Sequence, residues 1–263
     1  SMRAGIEVRG LTTDDEYFVG TCSHRNESEE IDASARRRIA WLREHHERGV
    51  RAFVALHDGQ HAGFLFCMPI EVSPWGPRGE DLLVVPCLFV LPHSSDRGIG
   101  SALLETAEQE AREQGLTGVV LQAVHLEGWW FMPAAWFEAR GWKEVERRGA
   151  TRLLWKPFDD GAAAPRLLEP AWSFEPVPGR VVVDLFWNRF CLTSDVEAQR
   201  VRDVVAEFGA SVVLREHQAE DTEVLALCGI PRAIYVDGEE ISWGYEAPRD
   251  GIRDAIRRAV AEH

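Results

Sequence analysis

Two α/β domains in series are what this sequence predicts, on three observations. Short apolar and β-branched runs alternate with helical stretches in both halves of the chain. Between them, Pro157-Phe-Asp-Asp-Gly-Ala-Ala-Ala-Pro-Arg-Leu-Leu-Glu-Pro170 replaces periodic pattern with prolines and small residues. The length of 263 residues, 45% of them hydrophobic, is enough for more than one buried core.

The first half reads helix, helix, strand, strand, strand, helix, strand, helix, strand. Helices are expected near Thr13 to Thr21 and Asp32 to Arg48, the second stopped by Gly49 after a basic last turn. A strand from Val50 to His57 turns at Asp58-Gly59 into another from His61 to Glu71. Leu82-Leu-Val-Val-Pro-Cys-Leu-Phe-Val90 is the third. The helix from Gly98 to Gln114 keeps Ile99, Ala102, Leu103, Thr106 and Ala107 on one face and Glu105, Glu108 and Arg112 on the other, and Gly115 ends it. A strand from Thr117 to His125 and the segment Phe131 to Val145 complete this half.

The junction between the third strand and its helix is the most informative point. Leu91-Pro-His-Ser-Ser-Asp-Arg97-Gly98-Ile99-Gly100-Ser101 is a polar turn opening a helix through two glycines. Free N–H groups and the positive dipole end of a helix gather there, and glycine lets an anion approach the backbone without a Cβ in the way. Arg97 adds a fixed positive charge. Taken alone, this is a strand-turn-helix cradle for a phosphate.

The same residues resemble the acetyl-CoA loop of the GNAT superfamily of N-acetyltransferases. The pattern is Val-x-Pro-x-x-x-x-Arg-Gly-x-Gly-x-x-Leu-Leu, and Phe131-Met-Pro-Ala-Ala-Trp-Phe137-Glu-Ala-Arg-Gly141-Trp142-Lys-Glu-Val145 looks like the helix and Gly-aromatic turn that close such a domain. The resemblance covers residues 3–158 and implies an α+β mixed-sheet GNAT fold. It further implies that acetyl-CoA is the co-substrate, its arm held by the strand backbone at Leu88, Phe89 and Val90. The pyrophosphate would lie on the loop of Ser95, Asp96, Arg97, Gly98, Ile99, Gly100 and Ser101. No metal is expected.

Three positions depart from the family pattern. Phe137 stands where a tyrosine commonly protonates the departing thiolate, and a phenyl ring donates no proton. Trp130 replaces a frequent asparagine, and Ser95 an arginine or glutamine. His125, at the end of the strand after the helix, is the first candidate for general base; it also reads as a strand-capping residue. Cys87 occupies a strand position where some relatives carry glutamate, and also reads as a small buried hydrophobe. Glu127 is a candidate for recognising a cationic acceptor, and Trp129 and Trp130 for walling its pocket. Trp136 and Trp142 are expected in the core.

After a linker at 159–170, the second domain is expected over 171–263. Val181 to Trp187 is a buried-strand pattern, and Asp195 to Phe208 a helix with Val201, Val204, Val205 and Phe208 inward. Ser194-Asp-Val-Glu197 has capping-box spacing. A strand from Ala210 to Arg215, a short helix at Thr222 to Leu227, strands at Ala233 to Val236 and Glu240 to Trp243, and a final helix from Pro248 to Ala261 follow. This order resembles thioredoxin. Phe186-Trp187-Asn-Arg-Phe190-Cys191-Leu-Thr-Ser194 is similar to its Phe-Trp-x-x-Trp-Cys-x-x-Cys, with Ser194 in the second cysteine's place, and Gly229-Ile230-Pro231 to its Gly-Ile-Pro, whose proline is cis. A GNAT domain followed by such a domain is similar to the YoaP-like acetyltransferases. Cys191, just ahead of a helix, is placed to be a reactive thiol. A structural role, covering the acceptor site or joining a homodimer, is the other reading; pairing of Cys191 with Cys228 is open.

The net charge of −14 argues against nucleic acid and anionic membrane as partners. It favours a small cationic amine as acceptor. No apolar run is long enough for a membrane span, Ser1 before Met2 reads as a cloning remnant, and no signal-peptide pattern opens the chain, so a cytoplasmic location is expected. The five cysteines (Cys22, Cys67, Cys87, Cys191, Cys228) are scattered without a Cys-x-x-Cys pair and suit reduced thiols. The expected activity is direct acetyl transfer from acetyl-CoA to a small-molecule amine. The alternatives are a non-catalytic acetyl-CoA-sensing module and a thiol-binding protein using Cys191.

Overall fold

The computed structural model describes residues 4–263. Ser1 and Arg3, where the cloning remnant and the first domain boundary were placed, lie outside the described residues. The chain divides into two compact units, residues 4–19 with Leu42–Leu168, and Gly20–Trp41 with Glu169–His263.

The first unit is built on a seven-stranded mixed sheet of β1 (Ile6–Gly10), β2 (Arg51–His57), β3 (Gln60–Pro69), β4 (Leu82–Val90), β5 (Gly118–Val124), β6 (Lys143–Arg148) and β7 (Thr151–Pro157). Its order is β1-β2-β3-β4-β5-β7-β6, antiparallel except for β4 against β5. The sequence order lacks β1, because Ile6-Glu-Val-Arg-Gly offers only two apolar residues; pairing of Ile6 with His57 through Gly10 with Phe53 makes it a strand. The sequence also merges β6 and β7, which Gly149, at φ +56°, separates as a hairpin.

A turn of 3-10 helix at Thr13–Asp15 leads into α1 (Glu16–Gly20), and α2 (Glu29–Glu44) follows. Asp15, fully buried, is held by Arg9 Nη2 at 3.0 Å, the Thr12 N–H at 2.9 Å and Thr12 Oγ1 at 3.0 Å, and lies 2.8 Å from His61 Nε2. Burial alone would push this carboxyl up, but those bonds outweigh it and lower its pKa to about 2.

Helix α3 (Ile99–Glu113) packs Ile99, Ala102, Leu103, Leu104, Ala107 and Ala111 onto the sheet against Leu65, Leu83, Val85, Val119 and Leu121. The short helix α4 (Ala134–Glu138) adds Phe137 to the same core.

The second unit carries β8 (Val181–Trp187), α5 (Leu192–Ala206), β9 (Val212–Gln218), α6 (Thr222–Cys228), β10 (Ala233–Val236), β11 (Glu239–Ile241) and α7 (Arg249–Ala261). The sheet order is β11-β10-β8-β9, with β8 parallel to β9 and antiparallel to β10. Every residue of β8 is buried, which is why its run is unbroken and apolar apart from Asp184. Val201, Val204 and Val205 of α5 face the core with Ile252 and Ile256 of α7.

Two expectations fail here. The capping box at Ser194 does not form, because α5 begins at Leu192 with Cys191 as its first flanking residue. Asn188 Oδ1 accepts the Cys191 N–H at 2.9 Å, and Ser194 Oγ accepts the Asn188 N–H at 3.2 Å; the helix thus begins one turn earlier, with these bonds tying the turn ahead of it. The cis peptide among the described residues is Gly76-Pro77, so Ile230-Pro231 is trans. Among the described residues no helix is long and apolar enough to cross a membrane.

Candidate functional site

The first unit's site begins where its sheet comes apart. β4 stays paired with β3 as far as Val90 opposite Gly63, but β5 partners it only from Leu82 opposite Gly118 to Val84 opposite Val120. Beyond that point β5 continues on β7 alone. The Leu91 N–H donates to Ala62 O at 2.8 Å, which fixes the alternation of the antiparallel ladder. Phe89 and Cys87 therefore turn their backbone groups to β3, while those of Leu88 and Val90 face the gap left by β5. Gly63 permits this close strand approach, since a Cβ there would lie 2.5 Å from Phe89 O.

The chain then turns through Pro92–Ser94 into α3. Ser95 Oγ donates to Pro92 O at 2.7 Å, Asp96 takes φ +62° and Gly98 φ +82°. No side chain caps α3, and the first N–H with a backbone acceptor is that of Ala102, to Gly98 O at 3.0 Å. The amides of Ile99, Gly100 and Ser101 are thus directed outward from the helix start.

A cleft of about 280 Å³ joins the two features. Of the predicted cofactor residues, Leu88, Phe89, Val90, Ser95, Asp96, Gly98, Ile99, Gly100 and Ser101 line it; Arg97 is exposed and does not. Trp130, 67% exposed, forms its rim with an edge contact to Phe89 at 6.0 Å. Phe137 lies at the floor, fully buried and edge-on to Trp136 and Trp142.

The structure does not bring the predicted catalytic residues together in this cleft. His125 is exposed, its backbone N–H donating to Ala150 O at 2.7 Å. Glu127 and Trp129 are exposed on the loop after β5, and half-buried Cys87 sits opposite Phe66 in the ladder; none lines the cleft. Trp136, expected in the core, is half-buried and forms a cleft wall 3.0 Å from where a Gly100 Cβ would stand.

One lining residue, Arg140, has no counterpart in the sequence reading. Its Nη1 donates to Trp136 O at 2.9 Å and its Nε to Ser101 Oγ at 3.1 Å, with the guanidinium carbon 3.7 Å from the Trp136 ring centroid. A positive group is thereby pinned beside the open helix start. The available signal was its spacing, one helical turn after Trp136.

Residues 13–127 match the model of the acetyltransferase (GNAT) family. Over this segment, less than half of the chain, the sequence is similar to the GNAT acetyltransferases. Similar solved structures include the PaiA N-acetyltransferase of Thermoplasma acidophilum in complex with coenzyme A, 17% identical over 58% of this chain and 98% of that one, with a TM-score of 0.42. YncA of Salmonella typhimurium, a putative acetyltransferase with acetyl-CoA, is 16% identical over 60% and 97% of the two chains at a TM-score of 0.43. A GNAT family acetyltransferase of Brucella melitensis in complex with acetyl-CoA is 19% identical over 62% and 94% at 0.39. No curated protein matches the sequence. Among the described residues no group of three or more His, Cys, Asp and Glu side chains could hold a metal ion.

Proposed function

We propose that the GNAT domain transfers an acetyl group from acetyl-CoA directly to the amine of a small molecule, and that the second unit is a thioredoxin-like domain. The observation that carries the first reading is the continuity of the cleft, which joins unpaired β4 backbone to an uncapped helix start. The strand order and directions of β11-β10-β8-β9, with a cysteine at the start of the helix after β8, support the second.

The bound thioester would supply an activated acyl group whose leaving thiolate, with a solution pKa of about 8.5, departs without obligatory protonation. In this reading the Leu88 and Val90 backbone groups orient the pantetheine arm and polarise the acyl carbonyl by N–H donation. The amides of Ile99, Gly100 and Ser101 and the Arg140 guanidinium hold the pyrophosphate. Trp130 and Phe89 shield the reacting centre on the rim. Phe137 fills the floor and donates no proton, so the amine is deprotonated by solvent, and His125→Ala is expected to change kcat by less than about twofold.

A second reading, acetyl-CoA sensing without turnover, is favoured by one specific observation: Asp96 and Arg140 are the ionisable side chains lining the cleft. Release of free CoA thiol, measured with the full chain, acetyl-CoA and a panel of polyamines, aminoglycoside-like drugs and amino compounds, separates the two. Amine-dependent release supports transfer. Saturable acetyl-CoA binding with no release above the hydrolysis background overturns it in favour of sensing.

A further inference from the structure

Ser194 occupies the position at which a second thiol would follow Cys191 by one helical turn, and it is buried with its hydroxyl committed to the Asn188 N–H. Another thiol stands nearby on a segment far away in sequence. Gly20–Trp41 belongs to the second unit, fastened to α5 by Asp195, which accepts from Ser34 Oγ at 2.6 Å and Arg37 Nε at 2.8 Å. Glu30 adds a paired contact to Arg200 at 3.0 Å. The segment's start carries Cys22, at φ +49°, whose sulfur accepts from Arg38 Nη1 at 2.6 Å. The same Arg38 guanidinium lies 5.1 Å over the ring of Phe190, the residue before Cys191, and Trp41 packs on that ring at 5.4 Å.

Cys191 has its own polar surroundings. Its sulfur lies 3.4 Å from Thr193 Oγ1 and 4.0 Å from Arg232 Nη1, at the start of the fifteen-residue helix α5. Arg232 is fixed by Thr193 Oγ1 at 2.7 Å and Glu197 at 3.2 Å. Burial pushes the Cys22 thiol up, a charge on Cys191 pushes it further, and Arg38 opposes both.

We propose that Cys191 and Cys22 are a nucleophile and resolving pair that reduces a low-molecular-weight disulfide, an activity separate from acetyl transfer. The Cys191 thiolate bonds to one sulfur of R–S–S–R, the S–S bond breaks, and the first R–S⁻ leaves with the electron pair and takes a proton from water. Cys22 then gives its proton to solvent, its thiolate bonds to the Cys191 sulfur, and the second R–S⁻ leaves. One disulfide is reduced to two thiols while two protein thiols are oxidised to one disulfide. Arg232 beside the entering sulfur selects disulfides bearing carboxylates.

Glutathione disulfide is the probe for the test, with the full chain starting fully reduced. After alkylation of remaining thiols, non-reducing peptide mapping is expected to recover a Cys22–Cys191 cross-link, with both glutathione thiols released. In Cys22→Ser, and in Cys22→Ala should the first be poorly folded, the Cys191–glutathione mixed disulfide is expected to persist about tenfold longer. The proposal is overturned if wild-type Cys22 stays alkylatable while Cys191 holds glutathione, if Cys191 pairs with Cys228 instead, or if either variant releases both thiols as fast as wild type.

Discussion

Each unit places an uncapped helix start shortly after a central strand, and the two starts differ in the turn that leads into them. At α3 the turn ends in Gly98 in the left-handed region, no side chain caps the helix, and the first amides point into a cleft. At α5 no side chain caps the helix either, but the turn ahead of it is tied by side-chain bonds, Asn188 Oδ1 accepting the Cys191 N–H and Ser194 Oγ the Asn188 N–H, and the residue flanking the start carries a thiol. The same local electrostatics therefore serve two ends. At α3 the amides open onto a cleft that suits an extended anion; at α5 a single sulfur stands at the helix start beside Arg232.

Breaking the open start should have the largest effect. Gly98→Val puts a β-branched residue at φ +82°, and acetyl-CoA affinity by titration calorimetry is expected to fall about 100-fold; unchanged affinity would remove the cradle from the account. The α5 start is attacked through its anchor. Asp195→Ala strips the acceptor of Ser34 and Arg37, and is expected to cost about 2 kcal/mol in urea unfolding and to raise amide exchange across 30–41.

Asp15 sharpens the contrast by acting as structure alone in the first unit. Its folded pKa of about 2 lies below the ordinary 3.8, so its stabilisation is complete above about pH 4 and is lost as the pH falls toward 2. Wild type should lose about 2 kcal/mol over that window relative to Asp15→Asn in paired urea titrations. The smallest effect is expected at Arg140→Ala, which removes one cation but leaves the amides: about tenfold weaker acetyl-CoA binding with a shallower salt dependence.

Much of the open start was legible in the sequence because it is local. The proline turn, Arg97-Gly98-Ile99-Gly100 and the amphipathic α3 lie within one continuous stretch, and backbone requirements of that kind are written in residue type. Arg97 and Arg140 show the limit. Both are arginines near the loop, but only the one delivered from the turn after α4 reaches the cleft, a matter of tertiary placement. His125 shows the same limit: a strand end says where the backbone goes, and here the residue is exposed, its backbone N–H held by Ala150 O, outside the cleft lining. The neighbour of Cys191 was invisible because Cys22 precedes it by most of the chain, and the ion pairs of Asp195 and Glu30 that bring them together carry no periodic signature.

Amide hydrogen exchange of the full chain with and without acetyl-CoA tests the central claim most directly, since the claim concerns backbone donors. Protection is expected at Ile99, Gly100 and Ser101 and at Leu88 and Val90, with the β5 amides Leu121 to Val124 unchanged. Binding that leaves the α3 start and outer β4 unprotected would contradict the account.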